Sequence, residues 1–191
     1  MKNDNFIVVA FAVIDTNVIV SSMLGNKPSS TKDVLNLVES GNILPLFDMR
    51  MIKEYWDVLN RFFTEDIVVD KLSSVINNGF LVTNVEETKT FFKDKDDIPF
   101  FEVMESSKEL DAYLITGNTK HFPEGTTRTA AFVMDVLKYL NGFVLKDKES
   151  YLKEIRGLID SLDKEKYLKQ NYEDILSPFM SEETNKKNRS R

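Results

Sequence analysis

The chain has 191 residues, 42% of them hydrophobic and 29% charged, with a net charge of −6 and no cysteine. This is enough for one domain with a real core, and it excludes a disulfide framework, a thiolate metal site and catalytic thiol chemistry. The acidic balance argues against bulk attraction to nucleic acid, but not against a local basic groove or acids neutralised by a metal ion.

The first element is the unbroken apolar run Phe6–Ile14, which ends in Asp15-Thr16-Asn17. Such a run reads as a strand buried on both faces of a parallel sheet, where ligands sit beyond the carboxyl ends of the strands. Asp15 stands at that end, either as a site carboxylate or as the cap of the next helix. Lys2 and the Ala10-Phe-Ala12 triplet imitate a signal peptide, but Asp4 intrudes and the apolar stretch before the triplet is too short. Nothing approaches the ~20 apolar residues of a membrane span. A soluble, cytoplasmic protein is the expectation.

A short helix over Val18–Leu24 precedes a break at Gly25-Asn-Lys-Pro28, and Ser30 or Thr31 caps a helix with Val34, Leu35 and Val38 on its apolar face. Ile43–Phe47 reads as the second strand, with Pro45 a mild objection to a central position. Asp48 caps a helix directing Met51, Ile52, Tyr55, Val58, Leu59 and Phe62 inward. Glu54 shares the face of Met51 and Val58. A carboxylate at that margin either has a partner or metal or reaches water along its own stem. Tyr55 and Trp56 read as core or interface rather than base-stacking platforms.

A helix over Asp66–Asn78 leads through Gly79 to a third strand, Phe80–Val85. The segment Asp94-Lys-Asp96-Asp97-Ile-Pro99 sets three acids within four residues, which repel one another unless something positive sits among them. Pro99 suits a helix start, so Asp97 is either a cap or a site residue. A fourth strand spans Ala112–Thr116, and Asn118 leaves it as Asp15 leaves the first. Thr127 or Thr129 begins a helix ending at Asn141-Gly142. Strand and helix thus alternate over 6–142, which predicts an α/β fold: a parallel sheet with helices on both faces. Residues 143–178 read as a helical C-terminal extension of two helices, the second running through Tyr167 and Leu168 and ended by Ser177-Pro178. Residues 179–191 read as a polar, disordered tail.

Asp15, Glu54 and Asp97 are distant in sequence, yet each element's end can face one crevice. Oxygen ligands without His or Cys suit a hard cation, Mg²⁺ or Mn²⁺. Such an ion lowers the pKa of a bound water and withdraws charge from a phosphodiester, so no protein nucleophile is needed. Thr16, Asn17 and Thr116 are placed to orient water or ligand. Lys120, His121 and Arg128 are candidate RNA phosphate contacts, or else ordinary solvated charges.

Four segments carry a resemblance: Asp15-Thr-Asn-Val-Ile-Val-Ser, Ile-Lys-Glu54-Tyr-Trp-Asp-Val-Leu, Asp94-Lys-Asp-Asp97-Ile-Pro-Phe-Phe and Asp111-Ala-Tyr-Leu-Ile-Thr-Gly-Asn118. In that order they resemble the PIN domain over residues 6–140, and more closely the PIN-type toxins of bacterial toxin–antitoxin pairs, relatives of the VapC-type toxins. The resemblance implies a doubly wound sheet of strand order 3-2-1-4-5. It also implies a Mg²⁺- or Mn²⁺-dependent endoribonuclease that cleaves RNA and is blocked by a cognate antitoxin. Asp15, Glu54 and Asp97 would be the metal ligands, with Asp96 the alternative to Asp97 and Asp111 a supporting residue. Such domains often place a further Asp at position 118. Asn118 is a neutral, weaker ligand, which points to one-metal chemistry or to a binding module that kept the fold and lost activity. A phospho-acceptor receiver domain is the third reading and fits less well, because Glu54 lies mid-helix and no Lys follows a late strand as expected. The extension is a candidate for antitoxin binding or for a homodimer contact.

Overall fold

In the computed structural model the described residues are 10–25, 27–136 and 157–189, with Ala10 and 181–189 described as backbone alone. The expected boundary at 142/143, the first part of the apolar run and the extension up to residue 156 lie outside them.

The apolar run becomes β1 (Ala10–Ile14), in which Phe11 to Ile14 are all buried. Burial on both faces is what a central parallel strand requires. Next come α1 (Thr16–Leu24), α2 (Ser30–Glu39), β2 (Ile43–Phe47), α3 (Met49–Leu59), α4 (Glu65–Asn78) and β3 (Phe80–Val82). Then follow α5 (Ile98–Glu105), β4 (Tyr113–Ile115), β5 (Thr127–Arg128) and α6, described over 130–136. The described end of the chain holds α7 over 157–161, β6 (Tyr167–Leu168) and α8 (Tyr172–Arg189).

The sheet order is β5-β4-β1-β2-β3-β6, so the expected sequence 3-2-1-4-5 holds with one strand added beyond β3. All pairings are parallel except β3 with β6. The fully parallel sheet expected from the alternation therefore gains an antiparallel edge. Tyr167 and Leu168 belong to that edge strand and not to a second extension helix, because they pair with Val82 and Leu81. Their apolar side chains satisfy either geometry, and a partner strand decides between them. A second correction concerns the tail: α8 passes through Pro178 and continues as helical backbone to Arg189, where a stop at Ser177-Pro178 and disorder from 179 were expected. A third concerns Thr127, which lies in β5, while Thr129 accepts from the Phe132 N–H at the start of α6.

α2 and α4 pack on β2 and on each other, while α5 packs on β1, β2 and β4. A right-handed return from β3 back across the sheet to β4 carries α5 to the face opposite α2 and α4. Pro45 sits opposite Ala12, one residue before the β2–β3 ladder begins at Leu46 and Phe80, so a residue that cannot donate falls at the ladder's start. Trp56 is buried and stacks on Phe179 of α8 at 6.1 Å, which closes the extension onto the α3 side of the domain.

Gly79 ends α4 where the β2 backbone, the Phe47 ring and the last turn of α4 converge. A Cβ there would meet the Pro45 carbonyl oxygen at 2.5 Å, Phe47 Cε1 at 2.7 Å and the Val75 carbonyl oxygen at 2.9 Å. Two of these atoms are backbone and cannot rotate aside. Gly79→Ala is expected to cost about 3 kcal/mol of stability, at the upper end of ordinary overpacking, read as a lower midpoint in urea unfolding.

Candidate active site

The site forms because β1 and β4 are neighbours. Their register pairs Ile14 with Ile115, so Asp15 and Thr116 leave the sheet side by side, and the Asp15 N–H donates to the Ile115 carbonyl at 2.9 Å. This is the topological switch point, where the chain has moved to one side of β1 and returns on the other.

Asp15 caps α1 and does more. Its Oδ1 accepts from the Asn17 N–H at 3.2 Å, while its Oδ2 accepts from the Thr116 hydroxyl at 2.5 Å and from Asn17 Nδ2. The Asn17 amide oxygen in turn accepts from the Gly117 N–H at 3.0 Å, and Thr116 Oγ1 accepts from the Asn118 N–H at 2.8 Å. Thr116 and Asn17 therefore hold the Asp15 carboxylate in one orientation. Burial raises the pKa of Asp15, against the lowering effect of these hydrogen bonds and of His121.

Glu54 reaches the same edge from α3. The neighbouring Tyr55 is fully buried and donates its hydroxyl to the Ile14 carbonyl, which pins α3 to the end of β1. Thr16, the residue after Asp15, donates to Glu54 Oε1 at 2.5 Å. Burial pushes the Glu54 carboxyl up to about 7, and the charges of Asp15, Asp96 and Asp97 add to that, with only the Thr16 bond opposing. No ion pair with Glu54 occurs among the described residues.

Asp97 begins α5, yet its side chain makes no cap bond, so capping does not account for it. Oδ2 lies 3.2 Å from His121 Nδ1. Its pKa is raised by burial, lowered by His121, and raised again by Asp15 and Asp94. Asp96 is exposed and takes part through its charge on Glu54. Asn118 is exposed at the start of the short 3₁₀ turn Thr119–His121. Asp111 is not brought to this edge. It is exposed at the entry of β4, at φ +50°, and closes the turn before that strand. Lys120 is exposed, whereas the Arg128 guanidinium donates to the carbonyls of Gly125 and Thr127 and lies over the Phe132 ring at 5.6 Å.

Two features escaped the sequence reading. One is the Tyr55 hydroxyl tie. The other is Arg50, which bridges Asp48 and the buried Glu102 at 2.6 Å each, while Thr88 N–H donates to Glu102 at 2.7 Å. A lone acid between Phe101 and Val103 was the available signal for that buried pair.

The order of motifs, the strand order and the acids gathered at one edge meet a direct comparison. A family model described as PIN domain matches residues 12–120 of the 191. The chain belongs to the PIN domain family. PIN domains are nuclease-type domains that bind RNA and typically use divalent metals. No curated protein and no solved structure matched the chain.

Does this PIN domain's edge suit such a cation? Among the described residues, no group of three or more His, Cys, Asp or Glu side chains is arranged as a metal cage. The acids nevertheless lie close enough to raise one another's pKa, and they include two partly or fully buried carboxylates with hydroxyl and amide oxygens beside them. Mg²⁺ keeps several waters and asks for one or two protein carboxylates, so this donor set fits it. No helix among the described residues is long and apolar enough to cross a membrane.

Proposed function

We propose that this PIN domain is a Mg²⁺- or Mn²⁺-dependent endoribonuclease acting in the cytoplasm as the toxin of a toxin–antitoxin pair. The observation that carries the reading is the Asp15–Glu54 pair. Two adjacent carboxylates sit at the switch point with raised pKa values and no Lys or Arg paired to either among the described residues. Partly or fully buried acids with no Lys or Arg bonded to them are arranged for something positive that is brought in.

Asp15, Glu54 and Asp97 would hold the ion, which when bound supplies Lewis acidity toward a phosphodiester and an acidic water at neutral pH. Thr116 and Asn17 fix the Asp15 carboxylate, and Thr16 fixes Glu54. With Nδ1 engaged by Asp97, His121 has Nε2 left to contact a phosphate oxygen or to donate to the leaving oxygen. Lys120 adds a charge to the same loop. The extension beyond residue 142 serves as the surface for the antitoxin or for a second copy of the chain.

Asn118 favours a second reading, in which the domain binds RNA or protein without cutting. A Mn²⁺ titration of RNA cleavage separates the two. The nuclease cuts single-stranded RNA with Mn²⁺ or Mg²⁺ and stops in EDTA; absence of cleavage at every metal concentration establishes the binding module instead.

A further inference from the structure

Two depressions flank the acidic edge, and their chemistry differs. The one beside Asn17 and Thr116, of about 260 Å³, is lined by hydroxyls such as Ser21, Ser29, Thr31 and Thr129 and has no charged side chain in its wall. The one beside Glu54, of about 350 Å³, lies between α3 and the start of α5 and carries Arg50, Lys53, Arg61 and Lys95, with Asp57 and Asp96 in the same wall. The first three recur at 50, 53 and 61, so they run down one stripe of α3 and the turn after it, roughly 16 Å at helical rise. Lys95 faces them from the segment before α5.

We infer that Arg61 and Lys95, the two cations of this mixed-charge cleft without an ion pair among the described residues, hold the RNA backbone on one side of the scissile phosphate and deliver the strand to Glu54, an inference that rests on the nuclease reading. The cations divide by role. Arg50 is held by Asp48 and Glu102, so it forms a fixed wall. Lys53 pairs with Asp57 at 2.5 Å in an exposed i,i+4 contact that water and salt weaken. Arg61 and Lys95 are exposed and make no ion pair among the described residues. A chain of net charge −6 gains little from long-range attraction, so a polyanion must be held by a local track of this kind. The hydroxyl-lined depression has nothing to neutralise a phosphate. That asymmetry gives the strand a side.

The test is steady-state cleavage of a 12-nucleotide single-stranded RNA by the full chain in Mn²⁺, across a salt series. Arg61→Glu and Lys95→Glu are compared with the same charge change at Lys164, beside β6. Each cleft reversal is expected to raise KM about tenfold with kcat within twofold. Each should also flatten the salt dependence by about 0.7 in log–log slope for every RNA phosphate the cleft no longer neutralises. With a dinucleotide, too short to occupy the cleft, the gap in KM between each cleft reversal and Lys164→Glu is expected to shrink. All three sites are exposed, and unchanged melting curves confirm intact folding. Cleavage that persists with cleft reversals no worse than Lys164→Glu overturns the path while leaving the nuclease reading standing. Polyglutamate competing as well as RNA also overturns it and assigns the cleft to an acidic peptide. A wild-type chain that neither cuts nor binds the RNA removes the nuclease reading and the path with it.

Discussion

Asp15→Asn is expected to lower RNA cleavage on the order of 10³-fold while the protein stays folded. The size follows from removing a charge that holds the cation, whose electrostatic stabilisation of a reacting phosphate is worth several kcal/mol, with each 1.4 kcal/mol a factor of ten. The geometry adds to it. Asp15 Oδ2 receives both the Thr116 hydroxyl and Asn17 Nδ2, so an amide NH₂ placed there faces two donors. Turning Asn17 to relieve this costs the bond that its oxygen accepts from the Gly117 N–H. Against that loss, the substitution removes a buried charge whose pKa burial already raises. The two effects oppose, so the melting temperature moves by only a few degrees. Cleavage of a labelled RNA in Mn²⁺ and thermal unfolding by circular dichroism are read on the same sample. A variant cutting at the wild-type rate would remove Asp15 from the chemistry.

Why the sheet was legible in the sequence while parts of its edge were not is a matter of how far each signal reaches. Phe11 to Ile14 and Ile43 to Phe47 are apolar runs that only a doubly covered strand can bury, and the structure uses them so. Asp48 announces its helix by local chemistry and accepts the expected backbone N–H bonds, whereas α2 is capped by Ser29, one residue before the expected Ser30 or Thr31. Tyr167 and Leu168 depend on a partner 85 residues earlier, which no local pattern records. At the site, the motif order was visible, and so was the adjacency of the ends of the first and fourth strands, but the residue expected beside Asp15 was Asn118, whereas the register brings Thr116 there. What could not be read was which competing use each acid has. Asp97 turns out not to cap α5 with its side chain, whereas Asp15 caps α1 and still presents its other oxygen to Thr116. Asp111 sat in the same motif as Thr116 but precedes β4, so the strand itself carries the two to opposite ends.

Glu54→Gln is expected to make the metal-free protein more stable at pH 8 and, at the same time, to disable it. The Glu54 carboxyl titrates near 7 in the folded chain against an ordinary value of 4.5, so the folded state favours the proton. Its contribution to stability is therefore intact below about pH 4.5, is lost as pH rises through 7, and stays lost above that. Asp15 and Asp97 are shifted in the same direction and steepen the same trend. Because Glu54 is partly solvated, the cost at pH 8 is about 2 kcal/mol once the full shift is discounted for screening. Gln keeps an oxygen for the Thr16 hydroxyl and carries no charge beside Asp15 and Asp97. In EDTA at pH 8 the variant should melt about 5 °C above the wild type, and at pH 4.5 the two should converge. Saturating Mn²⁺ should close the gap at pH 8 from the other side, by stabilising the wild type far more than the variant. RNA cleavage should fall at least ~10²-fold, the ordinary trade between a stable site and a working one. A variant that melts no higher than the wild type in EDTA at pH 8 would mean that Glu54 is not strained by its neighbours, and the edge would then have no need of a cation.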